Sequence, residues 1–141
     1  MNLYLDTSAL VPLLVSEASS PRCRRLWDAA DVVLCSAVGH VEASAAIART
    51  ERSGRLHHST RDSALDLLDD LWSNVTVVPA DGPRLTAASA AALRHGLRGY
   101  DAVHCAAALA VADDDLVAAS GDRELLSAWR GDGLAVVDTI A

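Results

Sequence analysis

Leu3-Tyr4-Leu5-Asp6-Thr7-Ser8 is the stretch from which the fold is read. Three apolar residues end abruptly on a carboxylate, two hydroxyl residues follow, and a second apolar run begins. The first run is too short for a helix and reads as a buried strand feeding straight into one. An acid at the C-terminal end of a buried strand stands at the rim of an open α/β sheet, where side chains from several strand ends converge and ligands bind. Asp6 is thus the first candidate site residue, and the question for the rest of the chain is which residues join it.

The 141 residues, 51% of them apolar, suffice for one domain with one core, spanning residues 1–141. All 12 basic residues are arginine. The absence of lysine excludes P-loop, Schiff-base and lysine phosphate-clamp chemistry. A net charge of −7 argues against broad, non-specific nucleic-acid binding, but leaves room for a nucleic-acid enzyme whose acids hold metal. Cys23, Cys35 and Cys105 are odd in number, sit in apolar settings and lack zinc spacing; they read as core residues in a reducing compartment. The chain starts without a basic n-region or a small-residue cleavage site. Its longest uncharged run, Ala102 to Ala112, falls far short of the ~20 residues that span a bilayer. A soluble, cytoplasmic protein with no membrane partner is expected.

Outward from the first strand, Ser8 to Val15 reads as a helix capped by Thr7 or Ser8, with Pro12 near its first turn. A second helix starts at Ser19-Ser20-Pro21 and a strand follows within Asp31 to Cys35. A long helix from about Ala37 to Arg52 stops at Gly54. The next opens at Ser59 or Thr60, with Leu65, Leu68 and Trp72 facing in and Asp62, Asp66, Asp69 and Asp70 facing out. These two helices form a hairpin. Val75 to Val78 is a strand, Pro83 to His95 a helix ended by Gly96, and Asp101 to about Ala112 another helix. Leu116 to Ala119 and Leu134 to Val137 are strands, flanking a helix that buries Leu125, Leu126 and Trp129. Strands alternating with helices predict an α/β fold: a central parallel sheet of about five strands with helices on both faces and a helical hairpin.

Four acids stand out. Asp6 ends a strand, with simple helix capping as the plain alternative. Glu42 has Val38, Gly39, Ala45 and Ala46 at three- and four-residue spacing, so it lies on the inward face of its helix. A buried acid is expensive unless paired or bound to metal; an arginine ion pair is the plain alternative. Asp101 follows a glycine-flanked loop and opens a nearly uncharged helix, where a first-turn acid also suits the helix dipole. Asp122 follows a strand, where an N-cap is the plain alternative. All four can converge on one rim. Unit charges ~4 Å apart repel by about 4 kcal/mol at an effective dielectric of 20, and a divalent cation removes that cost. All-oxygen donors select Mg²⁺ or Mn²⁺ over zinc, ions that activate water and stabilise phosphoryl charge.

On the segments Leu3 to Leu14, Val38 to Ala46, Leu97 to Ala108 and Val117 to Leu126, the chain resembles the PIN-domain family of ribonucleases, and within it the toxins of bacterial VapBC-type toxin–antitoxin pairs. The resemblance implies a single PIN-like domain and metal-dependent endonucleolytic cleavage of single-stranded or structured RNA, with Mg²⁺ (or Mn²⁺) as cofactor. It assigns Asp6 and Asp101 as principal metal ligands, completed by Glu42 and Asp122. Thr7 would steady the first acid or the phosphate, and Ser120 matches a hydroxyl residue that precedes the last acid by two. Attack by metal-activated water would leave 5′-phosphate and 3′-hydroxyl ends, with no nucleophilic side chain or general-base histidine. A homodimer and a heteromeric complex with a VapB-type antitoxin are implied, the antitoxin lying in an apolar groove between the first helices and the hairpin.

Arg98 and Arg123 adjoin two of the acids and are candidate RNA contacts, with Arg49, Arg52 and Arg55 as a second stripe. His104 reads as a packing or supporting residue, and His57-His58 as a surface turn. Two other functions are weighed. One is a catalytically inactive PIN-like binding or scaffold protein. The other is an aspartate-nucleophile phosphotransfer enzyme, which conflicts with Ser8 where haloacid-dehalogenase-like phosphatases need a second aspartate, and with the missing lysine.

Overall fold

In the structure, a computed structural model that describes residues 1–141, strands β1 (Asn2–Leu5), β2 (Val32–Ser36), β3 (Val75–Val78), β4 (Leu116–Ser120) and β5 (Ala135–Asp138) form one sheet in the order β3-β2-β1-β4-β5. Every pairing is parallel. β1 is central: Tyr4 lies between Leu34 of β2 and Ala118 of β4. From β1 the chain steps outward to β2 and β3, then crosses back to β4 on the other side. The reversal falls between β1 and β4, and such a switch point opens a crevice beyond the strands' carboxyl ends.

The reversal also sorts the helices, because crossovers of one hand must change face when the strand order changes direction. Helices α1 (Thr7–Leu10), α2 (Ser20–Ala29), α3 (Val38–Arg52) and α4 (His58–Trp72) serve β1 to β3, while α5 (Gly82–His95), α6 (Gly99–Ala110) and α7 (Arg123–Gly131) serve β3 to β5. Strand alternation matches this division. Leu3 and Leu5 enter the core with Leu10, Cys23, Ala43, Ile47 and Leu68. Tyr4 points the other way, into the core with Ala91, Cys105, Leu125 and Trp129, and meets the Trp129 ring edge-on at 5.8 Å.

Several boundaries differ from expectation. The Ser8–Val15 helix is one short α-helical segment followed by a 3₁₀ turn, Val11–Leu13, since Pro12 has no N–H for a continuing α ladder. Its N-cap is Asp6, whose Oδ1 accepts from the Ala9 N–H, not Thr7 or Ser8. Ser19 makes no side-chain cap to α2; Ser20 instead accepts from the Glu17 N–H and donates to the Val15 carbonyl. His57 is no mere surface turn: its Nδ1 accepts from the Ser59 N–H and starts α4 at His58. α6 begins at Gly99, which makes Asp101 its third residue. Gly96 ends α5 in the left-handed conformation, φ 67°, where a glycine has no Cβ penalty.

α3 and α4 form the expected hairpin, and Gly39 permits their close fit. A Cβ there would lie 2.4 Å from Cys35 Sγ and 3.4 Å from the Trp72 ring. No helix of the chain is long and apolar enough to cross a membrane.

Candidate active site

Asp6 sits where β1 turns into α1 and is only 4% exposed. Oδ1 accepts from Ser8 Oγ at 2.7 Å and the Ala9 N–H at 3.1 Å, and Oδ2 accepts from Ser120 Oγ at 2.8 Å. Burial nevertheless pushes the carboxyl above its ordinary value, against the opposing pull of His104 and these hydrogen bonds. Both serine hydroxyl protons point at Asp6, so the 3.2 Å approach of the two oxygens adds no further bond. Ser8 Oγ also accepts the Gly121 N–H at 2.8 Å, and Ser120 Oγ accepts the Asp122 N–H at 2.9 Å. Two serines therefore clip the turn after β1 to the turn after β4.

Glu42 comes in from the second turn of α3, on the inward face. Its Oε1 accepts from Thr7 Oγ1 at 2.8 Å and from His104 Nε2 at 2.7 Å. Burial raises its pKa, but the His104 and Thr7 bonds outweigh that and hold the carboxyl below its ordinary value. The plain alternative to a metal-bound Glu42, an arginine ion pair, is not what the structure has: its partner is a histidine. His104, 2% exposed, is itself fixed from behind: Nδ1 lies 2.8 Å from Tyr4 Oη, which accepts the Ser36 N–H at 3.2 Å. The network assigns the proton to Nε2, because the carboxylate only accepts.

Asp101 is half-buried in the first turn of α6. It belongs to none of the chain's ion pairs. Burial pushes its pKa up, and Asp122, Asp6 and Glu42 push it further, with only His104 opposing. Asp122 caps α7, Oδ1 accepting from the Leu125 N–H at 3.0 Å. The helix-cap alternative thus accounts for one of its oxygens. Arg98 and Arg123 share an open cleft with Asp101 and Asp122, and Arg49 lines another with Thr7 and Glu42.

The structure therefore brings Asp6, Glu42, Asp101 and Asp122 to one rim, with Thr7 bonded to Glu42 and Ser120 to Asp6. Glu42 pairs with His104, while Asp6, Asp101 and Asp122 enter no ion pair; four carboxylates offer only oxygen donors, the chemistry that suits a hard divalent cation. Ser8 was not singled out in the sequence, although a hydroxyl two residues after an aspartate is a recognised local hydrogen-bonding pattern. The Tyr4–His104–Glu42 chain carries no local signal, because its members lie 62 and 100 residues apart.

A second grouping, His95, Cys105 and Asp132, has its ligating atoms within 4.8 Å of one another. It is already satisfied: Arg94 forks onto Asp132 at 3.2 and 2.9 Å, and His95 Nε2 approaches it at 2.9 Å. Burial, reinforced by Asp132, pushes the Cys105 thiol up to about 11. This is an ion-pair clamp between α5 and the end of α7.

Residues 3–128 match the model of the PIN domain family. Ribonuclease VapC45 of Mycobacterium tuberculosis (strain CDC 1551 / Oshkosh) is 37% identical over 134 residues, covering 95% of this chain and 93% of that protein. Among solved structures, Mycobacterium tuberculosis VapC20, a toxin that cleaves the sarcin-ricin loop, superposes with a TM-score of 0.72 at 20% identity, covering 96% of this chain and 98% of that one. VapBC2 from Rickettsia felis, bound to a DNA fragment of its promoter, superposes with a TM-score of 0.66 at 12% identity, each chain covered to 98%.

Proposed function

We propose, from the premise that this chain belongs to the PIN-domain family, that it is a metal-dependent endoribonuclease and the toxin of a VapBC-type pair. The observation that carries this reading is the grouping of acids around Asp101: a half-buried carboxylate in no ion pair, close enough to Asp122, Asp6 and Glu42 for each to disfavour its charge. Asp6, Asp101, Glu42 and Asp122 would hold Mg²⁺ or Mn²⁺. When bound there, such an ion lowers the pKa of water and stabilises charge on a phosphoryl group.

The chain's own residues do the rest. Ser8, Ser120 and the Ala9 N–H fix the rotamer of Asp6, and Thr7 and His104 fix that of Glu42. The carboxylates are thus preorganised before substrate arrives, which is where such sites gain most. His104 has both nitrogens engaged and is a positioning residue, not a base. Arg98 and Arg123 are free to meet substrate phosphates. In the hydrolysis, water oxygen bonds to phosphorus, the bond from phosphorus to the 3′ oxygen breaks, and a proton passes to that oxygen, giving 5′-phosphate and 3′-hydroxyl ends. The substrate is single-stranded RNA or an unpaired loop in structured RNA. The VapBC neighbour supports a VapB-type antitoxin as partner, and we place its seat between the first helices and the α3–α4 hairpin of a homodimeric toxin.

The test is cleavage of labelled total RNA by antitoxin-free protein in Mg²⁺, Mn²⁺ or EDTA, beside Asp6→Asn. Discrete fragments that require both metal and Asp6 are expected. A folded protein that cleaves nothing in any metal would instead favour a catalytically inactive PIN-like binding module.

A further inference from the structure

Two clefts flank the acids, and they differ in chemistry. The cleft of Arg98, Asp101, Asp122 and Arg123 has no apolar lining. The cleft on the Glu42 side has Thr7 and Glu42, Val41 and Ala45, Arg49 and Tyr100 around it. Tyr100 directly precedes Asp101, and it is 62% exposed; Val41 beside it is 61% exposed. The chain's other tyrosine, Tyr4, is fully buried. A large aromatic ring left in water next to an acidic centre gains nothing for the fold. Arg49 enters none of the ion pairs formed by Arg61, Arg84 and Arg94, although its charge is felt by Glu42. An unpaired cation and an exposed aromatic face thus meet at the edge of the catalytic rim.

We infer that Tyr100 and Arg49 form a subsite for one unpaired nucleotide adjacent to the scissile phosphate, its base stacked on the Tyr100 ring and its phosphate held by Arg49. The inference rests on the ribonuclease reading above and specifies how that site takes its substrate. Every base has a π-face, so an aromatic platform binds single strands with little sequence demand, and an arginine tracks the backbone. The opposite cleft, with two arginines and no ring, takes the phosphates on the other side. The asymmetry gives the substrate a direction across the site. It also disfavours duplex RNA, whose bases are already stacked on one another.

The experiment uses a randomised 12-nucleotide single-stranded RNA carrying one 5-iodouridine, with EDTA present to prevent turnover. Affinity is read by fluorescence anisotropy, and the photo-crosslinked residue by peptide mass spectrometry. Wild type is expected to crosslink at Tyr100. Tyr100→Ala should weaken binding roughly tenfold while Tyr100→Phe, which keeps the stacking face, retains it. Arg49→Ala should weaken binding and reduce the salt-dependence slope by about one contact. A 12-base-pair RNA duplex should bind no worse to Tyr100→Ala than to wild type. If wild type binds and cleaves RNA but Tyr100→Ala binds the single strand equally well, the subsite is refuted alone, and the exposed ring is left to a protein partner. If wild type neither binds nor cleaves RNA, the subsite and the ribonuclease reading fall together.

Discussion

Asp101 is held at a disadvantage in the metal-free protein. Its pKa and that of Asp6 are raised in the folded state, so between the ordinary and the raised values the native state binds more protons than the unfolded one. The contribution of these two groups to stability is therefore most favourable below the ordinary value of 3.8 and is lost as pH rises through the shifted range, opposite in sign to that of Glu42, whose pKa is lowered. At neutral pH the full penalty applies. Asp101→Asn should thus raise the melting temperature in EDTA at pH 7, by about 2–4 °C per kcal/mol relieved, with the gain shrinking toward pH 4. The same variant should lose metal-dependent RNA cleavage by more than the roughly 100-fold that removal of a supporting partner costs. Calorimetry against pH and a cleavage time course check the two parts; a variant as active as wild type would remove Asp101 from the site. Tyr4→Phe tests the support behind Glu42. It leaves the Ser36 N–H and His104 Nδ1 buried without a partner, and should cost about 1–3 kcal/mol in urea unfolding. At this scale the four acids proposed for the site could be picked out in the sequence, Glu42 by its neighbours' spacing and the others by their place at a strand end or before an uncharged helix. His104 was legible as a supporting residue but not as the partner of Glu42, and Ser8 not as a partner of Asp6, because only folding sets what an imidazole or a hydroxyl faces.

The close contact of α3 with β2 and α4 depends on one missing side chain. In an open helix Gly→Ala gains about 1 kcal/mol. At Gly39 the added methyl would sit 2.4 Å from the buried Cys35 sulfur, and overpacking of this kind typically costs 1–3 kcal/mol. Gly39→Ala should therefore destabilise despite its better propensity. Cys35→Ala added to it should recover part of the loss, a coupling that a double-mutant cycle in urea reads directly; strict additivity would mean that the sulfur is not the obstacle. Elements themselves were well marked by periodicity: each expected strand and helix exists. Their ends were less so. Asp6 and His57 act as caps through geometry that neighbouring serines and threonines could have supplied equally well on local grounds, and Pro12 cuts an α-helix to a 3₁₀ turn because the ladder fails at its missing N–H.

For the molecule as a whole, a net charge of −7 and the four acids proposed to hold metal make a divalent cation the ligand expected to stabilise the fold. Binding to the native state alone raises stability by about 2.7 kcal/mol at a hundredfold excess over Kd. Titration with MgCl₂ at constant ionic strength should raise the melting temperature of wild type and leave Asp6→Asn nearly unmoved; equal responses would point to general screening instead of a site. The sequence by itself determined the class of fold and singled out the four acids proposed for the site, since apolar runs, their periods and the residues that interrupt them are local properties. Only the tertiary structure decided the strand order β3-β2-β1-β4-β5, and with it the switch point at which those acids meet. It alone set Ser8 and Ser120 on Asp6, ran Tyr4 through His104 to Glu42, and left Tyr100 facing water. Each of these pairs residues distant in the chain, and no local preference encodes a contact that forms only when two separate strands come to lie side by side.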